Sequence, residues 1–131
     1  MTVIERYERL YLHDSSIRHI NLDIWEHVCV VHLVYAGVLK ESGREFDYEF
    51  FYKPATLTFT EVKEINYPEG YCMKTEILSH EITATDEYPG NFCFSIVLAE
   101  GKNRDTFTTT INIIARDFSL DGTVSEFPPV D

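Results

Sequence analysis

The amino-acid sequence predicts a mainly β protein, built as an antiparallel sandwich or a strongly curved sheet of about seven strands. Most apolar segments alternate with polar residues at a period of two, as expected of strands with one buried face. The nine phenylalanines and eight tyrosines also favour strands. Short polar turns separate these segments, which is typical of an antiparallel fold. The chain length of 131 residues predicts a single domain, residues 1–131.

The clearest element is a hairpin formed by residues 92–99 and 106–115, with its loop at residues 101–103. Its first arm is apolar on both faces, which predicts a strand inside a sheet rather than at an edge. In the second arm Ile111 and Ile113 share one face, and Thr108 lies on the other. We therefore expect both isoleucines in the core and the threonine at the solvent.

Four further segments alternate well enough to be predicted as strands: residues 17–24, 28–39, 46–52 and 56–62. Pro54 separates the last two of them. Because proline cannot donate a hydrogen bond to a neighbouring strand, we expect the strand before it to end there or to lie at an edge.

Two segments leave alternatives open, and a third is predicted to be a tail. Residues 2–12 predict a short helix, because Thr2 and Glu5 fit a capping box, although a first strand also fits. Residues 73–85 suit either a strand or one helical face, and their β-branched residues favour the strand. Residues 119–131 contain glycine and two prolines, and they predict a loosely attached C-terminal tail.

The charge of the chain restricts its partners. Twenty-two acidic residues against 11 basic ones give a net charge of −11. Such a chain is repelled by nucleic acid and by anionic membranes, and it favours a basic protein partner or none. The alternative is that the charge only keeps the protein soluble. The sequence contains no transmembrane-length apolar run and no signal-peptide pattern, so we expect a cytoplasmic location.

No recognised catalytic motif is present, and we predict no catalytic residue, metal or cofactor. The pair His13 and Asp14 fits an Asx turn better than an acid–base site. Glu26 and His27 could form a metal site with other histidines only through a special turn, because adjacent side chains in an extended chain point in opposite directions. An alternative pocket, suited to a small enzyme or a ligand-binding barrel, would hold two or more of the following side chains: His19, His27, His32 and Tyr35.

One hairpin carries the best candidate for a partner-binding surface. Its acidic side chains would steer a basic partner, and its tyrosines would anchor that partner. The alternative is that the acidic residues form the solvated face of an edge strand. The residues concerned are Asp47, Glu49, Tyr48, Tyr52, Glu41 and Glu45.

The opening segment Leu12-His-Asp-Ser-Ser-Ile17, followed by predicted strands at residues 20–24 and 28–34, resembles a group of small bacterial proteins of unknown function. These proteins begin with Leu-His-Asp-Ser or Leu-His-Asp-Ala, and Leu57-Thr-Phe-Thr-Glu-Val62 is similar to their strand followed by a short polar turn. Some are thought to be immunity proteins of polymorphic toxin systems. The resemblance covers the first half best and implies no catalytic residue.

Three functions therefore compete. The first is a non-enzymatic protein-binding domain, specifically an immunity-type inhibitor of a basic toxin. The second is a small enzyme or ligand-binding β-barrel with a pocket lined by Tyr and His. The third is a structural or self-assembling subunit, which a flat, exposed aromatic sheet face would favour. The oligomeric state stays open.

Overall fold

Two antiparallel sheets pack face to face in a computed structural model that describes residues 1–40, 44–66, 76–99 and 108–125. The side chains of residues 53, 54 and 125 are not described. Within these ranges there are one helix and nine strands: α1 Val3–Glu8, β1 Leu10–Tyr11, β2 Ile17–Asp23, β3 Val28–Leu39, β4 Tyr48–Thr60, β5 Glu64–Asn66, β6 Glu76–Ala84, β7 Phe92–Ala99, β8 Thr109–Ala115 and β9 Asp117–Ser125. The prediction of a mainly β, antiparallel fold with a short N-terminal helix is confirmed.

The first sheet has the strand order β1-β3-β4-β9, and β2 also pairs with β3 beyond the end of β1. The second sheet has the order β5-β8-β7-β6. The predicted hairpin becomes β7 and β8, with Phe94 opposite Ile113. β7 lies between β8 and β6, as its two apolar faces predicted, while the predicted loop at residues 101–103 lies outside the described residues.

The prediction that Pro54 ends a strand or marks an edge is wrong. β4 continues through it as an interior strand between β3 and β9. The pairing shifts on both sides between Tyr52 and Ala55, so residues 53 and 54 form a bulge. A bulge is one of the few interior positions that tolerate proline, because the ladder is already interrupted there.

The predicted tail at residues 119–131 is also wrong over residues 119–125, which belong to β9. Phe118 and Leu120 alternate towards the core, and Leu120 pairs with Leu57 of β4. Residues 126–131 lie outside the described residues. The strand count exceeds the prediction because β5 and β9 were not foreseen and residues 2–12 form β1 in addition to a helix, although β4 merges two predicted strands.

Residues 2–12 contain both of the predicted alternatives, a helix and then a strand. The Thr2 side chain accepts a hydrogen bond from the Glu5 amide at 3.1 Å, and the Glu5 carboxylate accepts one from Thr2, so the capping box is present. The fully buried Tyr7 packs edge-on against rings from both sheets, Phe94 at 4.9 Å and Phe118 at 5.1 Å. The helix is thereby fixed to both layers.

A turn between β1 and β2 joins the two sheets along one edge. The Asp14 amide donates to the carbonyl of Ile77 at 2.9 Å, and the Ile77 amide donates to the carbonyl of Ser15 at 2.8 Å. Ile77 belongs to β6, which confirms a strand within the predicted residues 73–85; residues 73–75 are outside the described ranges. The edge of the second sheet is therefore bonded to the first part of the chain.

Candidate functional site

The outer face of the first sheet carries a group of aromatic side chains at the end where β1, β3 and β4 meet. The register places Tyr35 opposite Tyr52, and Gly37 opposite both Phe50 and Tyr11. Their neighbours in sequence, such as Ala36, point into the core instead, so these rings share the face turned away from the second sheet. We call this group the outer aromatic cluster: Tyr11, Tyr35, Tyr48, Phe50 and Tyr52.

The rings of the outer aromatic cluster contact one another directly. The centroids of Tyr11 and Tyr48 lie 5.0 Å apart, and Tyr35 lies 6.1 Å from both Phe50 and Tyr52. Gly37 makes this approach possible, because a Cβ atom there would come within 2.9 Å of the Phe50 ring. These spacings are within the range of favourable aromatic pairs.

Tyr35 is held rigidly at the edge of the cluster. Its hydroxyl donates to the carbonyl of His13 at 2.7 Å, and its amide donates to the Ser15 hydroxyl at 3.1 Å. Ser15 is fully buried and donates in turn to the Tyr35 carbonyl at 2.6 Å. Burial, the neighbouring Tyr11 and the carboxylate of Asp14 raise the pKa of Tyr35 to about 12.

Tyr52 contributes an unusual polar group to the cluster. The residue is only 5% exposed, and its buried hydroxyl makes no hydrogen bond with the described residues. Burial also raises the pKa of this hydroxyl. Most buried polar groups in folded proteins have a partner, so the Tyr52 hydroxyl is an exception, which it shares with the Tyr7 hydroxyl.

The predicted partner-binding residues do not share one face. Tyr48 and Tyr52 belong to the outer aromatic cluster, whereas Glu49 lies on the opposite side of β4. Asp47 pairs with Lys40 at 3.7 Å. Glu45 is exposed in the turn before β4, and Glu41 is outside the described residues. Period-2 alternation explains the separation, since adjacent strand residues point to opposite faces.

The alternative pocket residues are also divided. His19 and His32 lie opposite each other on β2 and β3, and their rings stack at 3.8 Å. Burial and the neighbouring His19 lower the pKa of His32. His27 lies in the β2–β3 turn with a φ of 58°, and Tyr35 lies in the outer aromatic cluster beyond the bulge. The structure therefore brings together the two histidines and separates them from the other two residues.

Other candidate chemistry is sparse in the part of the chain that the structure describes. His13 and Asp14 lie in a turn, where the His13 ring contacts the Leu78 carbonyl at 2.8 Å. Across the described ranges, no three His, Cys, Asp or Glu side chains are grouped so as to hold a metal ion. Nor does any helix described here have the length and apolar character to cross a membrane.

Comparisons with known proteins give no assignment. No protein-family model matches the chain, and no curated protein or solved structure is detectably similar to it. The resemblance of the opening segment to small bacterial proteins stays a prediction.

Sequence reasoning missed Tyr11, Gly37 and Phe50 as site residues. The signal for Phe50 was present, because Tyr48, Phe50 and Tyr52 alternate within one segment. Tyr11 gave no such signal, since it joins the cluster through the pairing of β1 with β3.

Proposed function

We propose that this chain is a non-enzymatic protein-binding domain that holds a basic partner protein on its outer aromatic cluster. The observation that carries the proposal is the contact among five aromatic rings on the outer face of one sheet. Tyrosine is favoured as an anchor in protein interfaces, because it combines a large apolar area with a polar tip.

The charge of the molecule supports a basic partner. The chain carries a net charge of −11, and the carboxylates of Asp14 and Glu76 act on Tyr35 at the edge of the cluster. A lysine or arginine side chain placed over tyrosine rings gains cation–π attraction, and nearby carboxylates increase that attraction. Acidic side chains at the rim also speed the encounter with a basic protein.

The specific form of this proposal is an immunity-type inhibitor of a basic toxin. It is supported by the resemblance of the Leu12–Ile17 segment to bacterial proteins of which some are thought to have that role. An inhibitor of this kind needs a rigid surface and no catalytic group. The bonds between Tyr35 and Ser15 give the cluster the required rigidity.

The test begins with capture of a partner from the source cell, followed by binding measurements with the purified pair. Phe50→Ala and Tyr48→Ala are each expected to weaken binding by about tenfold or more, the effect of losing an aromatic anchor. Tyr88→Ala is the matched control, because Tyr88 is a half-buried tyrosine bonded to Glu64 of the second sheet. Equal losses in all three variants would refute the assignment of this surface.

A charge variant separates steering from anchoring. Asp14 has a φ of 65°, a conformation that asparagine tolerates, so Asp14→Asn removes the charge without straining the turn. We expect slower association at low salt with an unchanged dissociation rate. Light scattering of the purified chain tests the self-assembling alternative: a dimer abolished by Phe50→Ala would assign the cluster to self-association instead.

A further inference from the structure

A cavity of about 590 Å³ lies between α1 and the inner side of the first sheet. Its walls are mainly apolar and include Leu10, Val38, Phe51 and Leu120. The volume falls within the range of small-molecule sites, about 300–1,000 Å³. The cavity faces away from the outer aromatic cluster, because Phe51 and Val38 alternate with the residues of that cluster along β4 and β3.

The charges that line this cavity are opposite to those of the molecule as a whole. Arg6, Arg9 and Lys40 line it together with one carboxylate, Glu49. The chain has twice as many acidic as basic residues, so a lining with three cations and one anion is a local reversal. A cation in such a lining attracts an anion when no carboxylate already pairs with it.

Two of these cations already have acidic partners, and the third does not. Arg6 pairs with Asp117, and Lys40 pairs with Asp47. Arg9 donates to the carbonyl of Leu39, and no carboxylate of the described residues lies within ion-pair distance of it. A guanidinium has five N–H donors, so Arg9 retains donors that an entering carboxylate can use.

We infer that this cavity binds an amphipathic anion, a small molecule with an apolar chain and a carboxylate head. The carboxylate accepts charge-assisted hydrogen bonds from Arg9, the strongest type available at a protein surface. The apolar chain lies along Leu10, Val38 and Phe51 and is removed from water. Glu49 repels the head group and so places it on the Arg9 side. This ligand site is separate from the proposed protein-binding surface.

Isothermal titration calorimetry with decanoate, below its micellar concentration, tests the inference on the full chain. Arg9→Gln is expected to weaken decanoate binding by about tenfold or more, since it removes the charge-assisted hydrogen bonds to the carboxylate. Glu49→Gln is expected to tighten it, because a repulsive charge is removed. Arg116→Gln is the matched control: it removes a cation that pairs with Glu61 at 3.4 Å, away from the cavity.

Two further ligands of equal chain length separate the contributions. Decanol is uncharged and decylamine is positively charged, so both should bind more weakly than decanoate. Arg9→Gln should weaken the binding of decanoate but not that of decanol or decylamine. Equal binding of decanol would show that the head group is not recognised. Tighter binding of decylamine, weakened by Glu49→Gln, would assign the cavity to cations. Absence of binding by all three ligands would refute the proposed site.

Arg9 also bonds Leu39, so circular dichroism must first show that the Arg9→Gln variant folds. If it does not fold, Glu49→Gln still tests the inference. This variant should bind decanoate more tightly and decylamine more weakly than the unaltered chain.

Discussion

The first sheet carries an aromatic cluster on each of its two faces, and the two clusters differ in what surrounds them. The inner cluster consists of Tyr7, Phe59, Phe94 and Phe118, which come from the helix and from both sheets. The contacting rings lie 4.9 to 6.4 Å apart and are almost completely buried. The outer aromatic cluster has similar spacings, but all its rings come from one sheet.

This difference separates stability from binding. Rings enclosed by two layers contribute their full buried area to folding. Rings supported by one layer leave part of their area available to a partner. Along the single strand β4, the exposure of a tyrosine or phenylalanine therefore depends on whether another element covers its face of the sheet. It does not depend on the residue type.

The largest expected effect compares one phenylalanine from each cluster. Phe94→Ala should lower the free energy of unfolding by about 3–5 kcal/mol, because the side chain is fully buried between the sheets. Phe50→Ala should cost markedly less, because the Phe50 ring is only half-buried. Urea melts of the two variants measure both values. Similar losses would erase the distinction between the clusters.

The next effect concerns the two faces of the second sheet. Ile111→Ala should cost about 2–5 kcal/mol, since Ile111 is 4% exposed. Thr108→Ala should cost well under about 1 kcal/mol, because Thr108 is exposed just before β8. The same urea melts decide, and a reversed order would mean that the inward face of β8 is misassigned.

A smaller loss is expected from crowding the outer aromatic cluster. In Gly37→Ala the new methyl group would lie 2.9 Å from the Phe50 ring and 3.1 Å from the Cβ atom of Tyr11. Overpacking typically costs about 1–3 kcal/mol, and one displaced ring should keep this value near the lower end. Thermal melts report the stability, and tyrosine fluorescence reports the rearranged cluster. The double variant Gly37→Ala with Phe50→Ala should recover part of the loss; no recovery would argue against the close approach.

The smallest effect is a pH dependence of stability that arises from His80, which contacts Tyr7 of the inner cluster. His80 stacks edge-on against Tyr7 and donates to the Tyr7 carbonyl at 3.2 Å. Burial lowers the pKa of His80 from its ordinary value of 6.5, and that hydrogen bond partly opposes the change. Below pH 6.5, His80 is therefore protonated in the unfolded chain while it is still neutral in the folded chain. The free energy of unfolding consequently falls as the pH drops towards the lowered pKa.

The measurement is the urea midpoint as a function of pH. In His80→Gln the part of this slope that comes from His80 should vanish, while the contribution of His32, whose pKa is also lowered, remains. His13→Gln is a suitable control, because His13 is exposed in a turn. An unchanged slope in His80→Gln would contradict the assignment.

Local patterns predicted the elements that depend on neighbours in sequence. The Thr2–Glu5 capping box and the alternation around Ile111 are examples, since their physical causes lie within a few residues. The course of β4 through Pro54 was missed because a bulge is set by pairing with β3 and β9, which the sequence does not display. The glycine in residues 119–125 obscured β9 for the same reason.

The candidate site divides in the same way. Tyr48 and Tyr52 were foreseen because they lie on one strand, whereas Tyr11 arrives through long-range pairing. Glu49 lies on the other face of β4 from Tyr48, a separation that follows from the alternation of adjacent strand residues. The position of Arg9 beside an apolar cavity depends on how the helix lies on the sheet, which no spacing in the sequence reveals.

The turn at residues 12–16 also determines how slowly some backbone protons exchange with solvent. The Asp14 amide is bonded to Ile77, 63 positions further along the chain, although it lies in a turn whose side chains are partly exposed. Its bond can open only when the edges of the two sheets separate. In hydrogen-exchange experiments this turn amide should therefore be protected like a core strand, and its exchange rate should report the opening of the sandwich as a whole.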